Sequence, residues 1–289
     1  MPFKRRKKNE SEILKTVAPP DAEAAGSQQG NPQGTITRLL SYKLGNLQGI
    51  GSRQNQEDSF TTANAFDVVK AKEQGLFFAV CDGMGGMKDG KLASETAVSS
   101  LRNSFLGFDR SADLSMQLRD GIIKASEEVE SLIGGDGGST AVVGIILDEK
   151  LYFASVGDSY FYLFREGKLI RLNAEHNILH DRYLEEIERG NMHPEDAREG
   201  KEDAALTSFL GMVGIEQIDL TVRPIPLRDR DVLIACSDGV GGVVTEEEMI
   251  NALSLSDPTQ ACADLERSVL AHANPHQDNY TAVVIDCII

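Results

Sequence analysis

Apolar residues gather in short runs along this chain, never in long stretches. Phe77-Phe78-Ala79-Val80-Cys81 leads straight into Asp82, and Gly83, Gly85 and Gly86 follow. An apolar run of that length, closed by a glycine turn, predicts a buried strand. From Gly90 onward Ala93, Ala97, Leu101 and Phe105 recur every four positions, which predicts a helix. The same grammar returns at Val232-Leu233-Ile234-Ala235-Cys236, which is followed by Ser237-Asp238-Gly239. A carboxylate at the end of a buried strand is costly unless a positive charge meets it. Glycine beside it allows a ligand to come close. Two strand-end Asp-Gly pairs therefore predict two carboxylates delivered to one site.

The remaining pattern alternates helices with hairpins. Leu114, Leu118, Ile122, Ala125, Val129 and Leu132 mark a second amphipathic helix, which the glycines at 134–138 break. Residues 140–147 and 151–156 read as strands joined by a turn at Asp148-Glu149. Gly157-Asp158-Ser159 ends the second of these, and further strands follow at 160–164 and 168–172. Residues 173–205 are polar and charged, and read as a mobile, partly helical segment over the sheet. Thr245-Glu246-Glu247-Glu248 carries a capping-box pattern and predicts a helix start. Another helix follows around Ala261, Leu265 and Val269, and a terminal strand covers 282–289. Gly51 to Phe60 is polar and alone reads as a solvated loop.

Composition narrows the function classes. The 289 residues suffice for one sizeable core, and the formal net charge of -16 argues against nucleic acid or anionic membrane as the main partner. No stretch of about 18 apolar residues exists, so no membrane span is expected. Residues 1–40 are poor in large apolar side chains and read as a disordered tail before a domain at 41–289. The tail holds seven of the 29 basic residues and four of the 45 acidic ones, so the domain is more acidic than the whole. The basic run Lys4-Arg5-Arg6-Lys7-Lys8 reads as a solubilising feature. Four cysteines, at 81, 236, 262 and 287, show no Cys-x-x-Cys spacing and suit a reduced, cytoplasmic protein.

The chemistry lies in the acids. Asp82, Asp238 and Asp278 each flank an apolar strand, and Glu57, Asp58 and Asp158 join them as candidates. Hard oxygen donors select Mg²⁺ or Mn²⁺ over Zn²⁺. His176, His180 and His193 fit no common zinc spacing. A lone Asp-Gly is most often a turn or a helix cap, but that reading does not account for the whole set.

Six motifs in order carry a resemblance to a known family. They are Arg53-Gln54-Asn55-Gln56-Glu57-Asp58, Val80-Cys81-Asp82-Gly83-Met84-Gly85-Gly86 with Ala93-Ser94 downstream, Gly138-Ser139-Thr140-Ala141, Gly157-Asp158-Ser159, Ser237-Asp238-Gly239, and Asp278-Asn279-Tyr280-Thr281-Ala282-Val283. Over about residues 43–289 the chain resembles the type 2C metal-dependent protein Ser/Thr phosphatases in their bacterial form. The resemblance implies an α+β fold, an α-β-β-α sandwich of two antiparallel sheets flanked by helices. It implies two Mn²⁺ or Mg²⁺ ions, with room for a third. Asp82 would bridge both metals, and Gly83 would offer its carbonyl. Asp238 and Asp278 would hold the first metal. Glu57 would serve the second, with Asp58 supporting the cluster. Asp158 matches the acid of the third site, and Asn279 would orient the Asp278 loop. Arg53 would grip the phosphate, and a hydroxide bridging the metals would attack phosphorus in line.

The resemblance also implies phosphorylated proteins as partners, a bacterial Ser/Thr kinase or its substrates among them, and a monomer. Two rival readings remain. One is a dedicated regulatory phosphatase of a single phosphoprotein, such as an anti-sigma-factor antagonist. The other is a pseudophosphatase interaction module, which needs broken metal ligands, whereas the core acids here are intact. Several positions depart from the family pattern: Met84, Met87, Lys91, Tyr160, Glu175, Asn177 and Ser208. None is an implied ligand, so they bear on substrate preference and surface packing.

Overall fold

The computed structural model describes residues 40–85, 89–135, 137–190, 200, 202–255 and 257–288. The tail at 1–39, Gly86, Met87, His193 and Ile289 lie outside the described residues. In chain order the first elements are β1 (Ser41–Gly49), β2 (Ser59–Ala63), α1 (Val68–Gln74), β3 (Leu76–Cys81), β4 (Gly83–Met84), α2 (Asp89–Leu106) and α3 (Leu114–Ile133). Next come β5 (Gly138–Ser139), β6 (Ala141–Leu147), β7 (Lys150–Val156), β8 (Tyr160–Arg165), β9 (Lys168–Arg171) and α4 (Ile178–Glu188). The chain closes with β10 (Asp219–Leu220), β11 (Ile225–Pro226), β12 (Val232–Cys236), α5 (Asp238–Gly241), α6 (Glu246–Leu253), α7 (Pro258–Ala271) and β13 (Tyr280–Ile288).

Two antiparallel sheets carry the fold. One runs β1-β13-β12-β8-β9, and the other β10-β7-β6-β3-β2 with β11 also on β7. Antiparallel strands often leave one face wet and alternate accordingly. Here both faces are covered, so the central strands are apolar throughout. Phe77, Ala79 and Cys81 of β3 face α2 and α3, where they meet Ala97, Leu101, Phe105 and Ile122. Leu76, Phe78 and Val80 face the other sheet, meeting Phe161, Leu233 and Ile285. Ile234 and Cys236 of β12 point outward onto Met249, Leu253, Ala261 and Leu265 of α6 and α7. The result is the helix-sheet-sheet-helix order that the resemblance implied.

Local chemistry sets the element ends. Asp113 caps α3 by accepting from the N–H groups of Ser115 and Met116, and Gly134 ends it in the left-handed region at φ 65°. Asp148 and Glu149, at φ 51° and 59°, form the tight hairpin turn between β6 and β7. The capping box at Thr245 and Glu248 is present in both directions. Three readings need correction. Leu132 is 53% exposed, and Ile133 packs toward the core instead. β1, β2 and α1 were not anticipated. After Gly157 the chain crosses to the other sheet, where the strand expected at 160–164 is found as β8. β13 also starts at Tyr280, two residues before the strand expected there.

The inter-sheet core gives a stability test. Phe78 is fully buried against Phe161, with ring centroids 5.6 Å apart, whereas Phe66 is 95% exposed. Phe78→Ala is expected to lower the unfolding free energy by about 3–5 kcal/mol. Phe66→Ala should change it by less than about 0.5 kcal/mol. Urea melts of both variants measure the contrast, and equal effects would place the core elsewhere.

Candidate metal centre and phosphate cleft

The strand-end acids meet at one mouth of the sandwich. Arg53, Glu57, Asp82, Gly83, Asp158, Asp238 and Asp278 all line a single cleft of about 620 Å³. Asp58 lies just beneath it, only 3% exposed, and Asn279 stands behind it. All nine residues singled out from the sequence therefore fall in or against one site.

Each acid is held by backbone. Asp82 sits between β3 and β4; its N–H donates to Thr140 Oγ1 at 3.0 Å. Its carbonyl accepts from the Thr140 N–H at 2.8 Å and from Ser139 Oγ at 3.0 Å. Thr140 Oγ1 lies 2.7 Å from Ser159 Oγ, so the Asp82 turn is joined to the corner carrying Asp158. At Gly83 a Cβ would fall 2.1 Å from the Gly90 carbonyl and 2.6 Å from that of Glu57. Only glycine lets these three segments close together. Asp238 opens α5, and a Cβ on Gly239 would lie 1.9 Å from the Asn279 carbonyl. The Asp238 and Asp278 loops are thus pressed backbone to backbone.

Asn279 ties the polar loop at 50–57 to this floor. Its Oδ1 accepts from the Glu57 N–H at 2.7 Å. Its Nδ2 donates to the carbonyls of Ile50 at 2.9 Å and Asn55 at 3.0 Å. The loop therefore delivers Arg53 and Glu57 as a fixed pair, although its sequence reads as solvated. Arg53 Nη2 donates to Asp278 Oδ2. Sequence reasoning quoted Thr140 and Ser237 within motifs without a role; Ser237 Oγ donates to Asp58 Oδ2 at 2.7 Å. It missed Leu206, which also lines the cleft. His176 turns inward, with its Nδ1 accepting from the Gly157 N–H at 3.1 Å and its Nε2 3.6 Å from Asp219.

The electrostatics are strained. Burial, with Asp238 adding a smaller repulsion, pushes the Asp58 carboxyl up to about 6. Burial and then Asp238 do the same for Asp158, also to about 6. Asp82 is raised well above the ordinary carboxylate value by burial and by the charges of Asp58, Asp238 and Asp158. Asp238 is raised by burial and by Asp278. Among the described residues no three acidic, histidine or cysteine side chains already converge on one point as a finished cage. What the cleft offers is a hard, all-oxygen donor set. Asp238 Oδ1 in the cleft and Asp58 Oδ1 beneath it are buried without any hydrogen-bond partner. Buried charge left unpaired in this way fits a divalent hard cation.

A family profile described as protein phosphatase 2C matches residues 42–190. The chain belongs to the protein phosphatase 2C family. The serine/threonine phosphatase stp of Listeria welshimeri is 29% identical over 229 residues, covering 76% of this chain and 87% of that protein. The solved structure of PppA from Pseudomonas aeruginosa is 25% identical, with a TM-score of 0.67 over 86% of this chain and 98% of that one. The catalytic domain of the phosphatase PstP, solved in complex with two manganese ions, superposes with a TM-score of 0.69. It covers 87% of this chain and 100% of that domain at 22% identity, a likeness that speaks for the fold.

In this 2C-family phosphatase the raised carboxyls have a consequence for the metal-free protein. Their folded values exceed the ordinary 3.8, so the folded state holds more protons than the unfolded one. Stability is then lost as pH rises from 3.8 through about 6, and the whole penalty is in place above that. In the presence of EDTA, the melting temperature is expected to fall between about pH 4 and about pH 6. Excess Mn²⁺ should flatten that fall. A metal-free melting temperature that rises over the same interval would show that the cluster is not under repulsive load.

Proposed function

We propose that this cleft hydrolyses phosphoserine and phosphothreonine in proteins, with Mg²⁺ or Mn²⁺ held by its carboxylates. The observation that carries the reading is the convergence of Asp82, Asp238 and Asp278 with Arg53 on one cleft. Asp82, Asp238 and Asp278 would hold the core cations, with the Gly83 carbonyl and Glu57 on the far side and Asp58 buttressing from below. Asp158 would serve a third ion. When bound, two such cations neutralise phosphoryl oxygens and acidify a shared water at neutral pH.

The protein's own groups do the rest. Arg53 presents a planar fork at the cleft rim, suited to two phosphate oxygens at once. Asn279 fixes the loop that carries Arg53 and Glu57, so the fork and the carboxylates keep their spacing. Met84 follows the Asp82-Gly83 turn and cannot donate a proton, and His176 faces Gly157 instead of the cleft. We infer that the leaving oxygen takes its proton from water or leaves as an alkoxide held by charge.

Phosphorylated proteins are the substrates that family membership entails. We infer further that the chain opposes a bacterial Ser/Thr kinase in the cytoplasm, and that residues 41–289 are the catalytic unit, acting as a monomer. No helix among the described residues is long and apolar enough to cross a membrane.

Two experiments test this reading. Asp82→Asn, Asp238→Asn and Asp278→Asn should each cost at least about a thousandfold in kcat on a phosphoserine peptide at saturating Mn²⁺, a scale set by losing charge stabilisation of the transition state. Circular dichroism should show the fold intact. Near-normal turnover in any of the three would remove that residue from the machinery. Deleting residues 1–39 should leave kcat on an aryl phosphate unchanged, and a large loss would show that the catalytic unit extends into the tail.

A further inference from the structure

Arg53 and Asp278 both line the phosphate cleft, and they are paired with each other. Asp278 has each carboxylate oxygen engaged. Its Oδ1 accepts from the Asn279 N–H at 2.8 Å, and its Oδ2 takes the Arg53 guanidinium. The Oδ1 bond is made within the loop and does not depend on anything in the cleft. The Oδ2 contact is different, because its partner reaches in from the loop at 50–57 and is 57% exposed. Among the described residues the Arg53 guanidinium is paired only with Asp278. Of the two oxygens, Oδ2 is the one whose partner is itself a cleft-lining side chain.

We propose that Arg53 and the divalent cation compete for Asp278 Oδ2, so that metal loading releases the arginine to bind phosphate. This rests on the metal-site reading above. A carboxylate oxygen facing both a guanidinium and a divalent ion favours the ion, whose charge is double and whose contact is shorter. Once displaced, Arg53 keeps its charge beside the cleft with its fork unoccupied. Phosphate meets a ready arginine only after metal has entered. Without metal, the arginine is parked and the cleft presents clustered carboxylates that repel phosphate. The order of addition, metal and then phosphate, is thereby built into one ion pair.

The alternative is that Asp278 merely orients Arg53, with the contact persisting in the loaded protein and the guanidinium binding phosphate through its other edge. A double-mutant cycle on Mg²⁺ affinity separates the two. Mg²⁺ alone is titrated calorimetrically into the wild type, R53Q, D278N and R53Q/D278N, with no phosphate present. Competition predicts that R53Q tightens Mg²⁺ severalfold in the wild-type background. In the D278N background the same change should have an effect smaller by roughly two- to fivefold, the range expected for a partly exposed ion pair. An equal effect in both backgrounds would mean that Arg53 acts only through its long-range charge, and would overturn the proposal.

A second measurement does not depend on D278N folding. The Arg53 side-chain Nε–H resonance of ¹⁵N-labelled protein, assigned by its loss in R53Q, should move when Mg²⁺ saturates the site. A resonance that stays at its metal-free position, with Mg²⁺ binding confirmed by calorimetry, would show the contact intact and overturn the proposal. If no heat of Mg²⁺ binding is seen in the wild type, the metal-site reading itself fails, a result distinct from a cycle that closes additively.

Discussion

Everything at the mouth of this sandwich answers to one constraint: carboxylates crowded where water is scarce. Asp58, Asp82, Asp158 and Asp238 are each pushed up chiefly by burial and then by neighbouring carboxylates, which for Asp238 means Asp278. Such a cluster works against the fold that holds it. It persists because the strands behind it are buried on both faces, and strands so covered do not bend to relieve strain at their ends. The two sheets act as a vice, and the acids are what the vice holds.

The means of holding are mostly backbone. Asp82 is gripped through its own N–H and carbonyl by Ser139 and Thr140. Glycine at 83 and 239 lets neighbouring segments approach to where a Cβ would collide. Hydrogen bonds to side-chain carboxylate oxygens would lower the pKa values and satisfy the cluster. The structure spends few of them there, leaving Asp58 Oδ1 and Asp238 Oδ1 without partners. Rigid backbone placement with unsatisfied side-chain oxygen is the combination a cation site requires, since a ligand already satisfied has less to gain from metal.

The parts of this arrangement that were legible in the sequence share a cause. β3 and β12 could be seen because both of their faces are buried, which leaves an unbroken apolar run ending at an acid. α2 could be seen because one stripe of it, Ala93 to Phe105, meets the sheet at a spacing of four. β1 could not be seen, for a physical reason. Helix α7 presses on it at Gly45, where a Cβ would lie 2.4 Å from the Pro258 carbonyl, and the Tyr280 ring does the same at Gly49. Glycines imposed by close approach, with Lys43 before them and Asn46 and Gln48 between them, erase the alternation that marks a strand. The pairing of β1 with β13 over its whole length comes from the partner strand, which no local pattern records.

The polar loop at 50–57 shows the same limit at the site itself. Its residues read as solvated, yet only those at 50–54 are exposed, and Asn55, Gln56 and Glu57 are partly buried. Order comes from Asn279, more than 220 residues away, whose side chain bonds to Glu57, Ile50 and Asn55 at once. Together with Ser52, whose N–H and Oγ both donate to the Gln277 carbonyl, this amide fixes Arg53 and Glu57 beside the Asp278 loop. The spacing between a phosphate-binding fork and a carboxylate floor is a property of a contact between the two ends of the domain. This explains why the acids of the first and last motifs mean little separately. The β1–β13 ladder draws the two ends together and Asn279 fixes the loop beyond it, and the motif order along the chain records that closure without describing it.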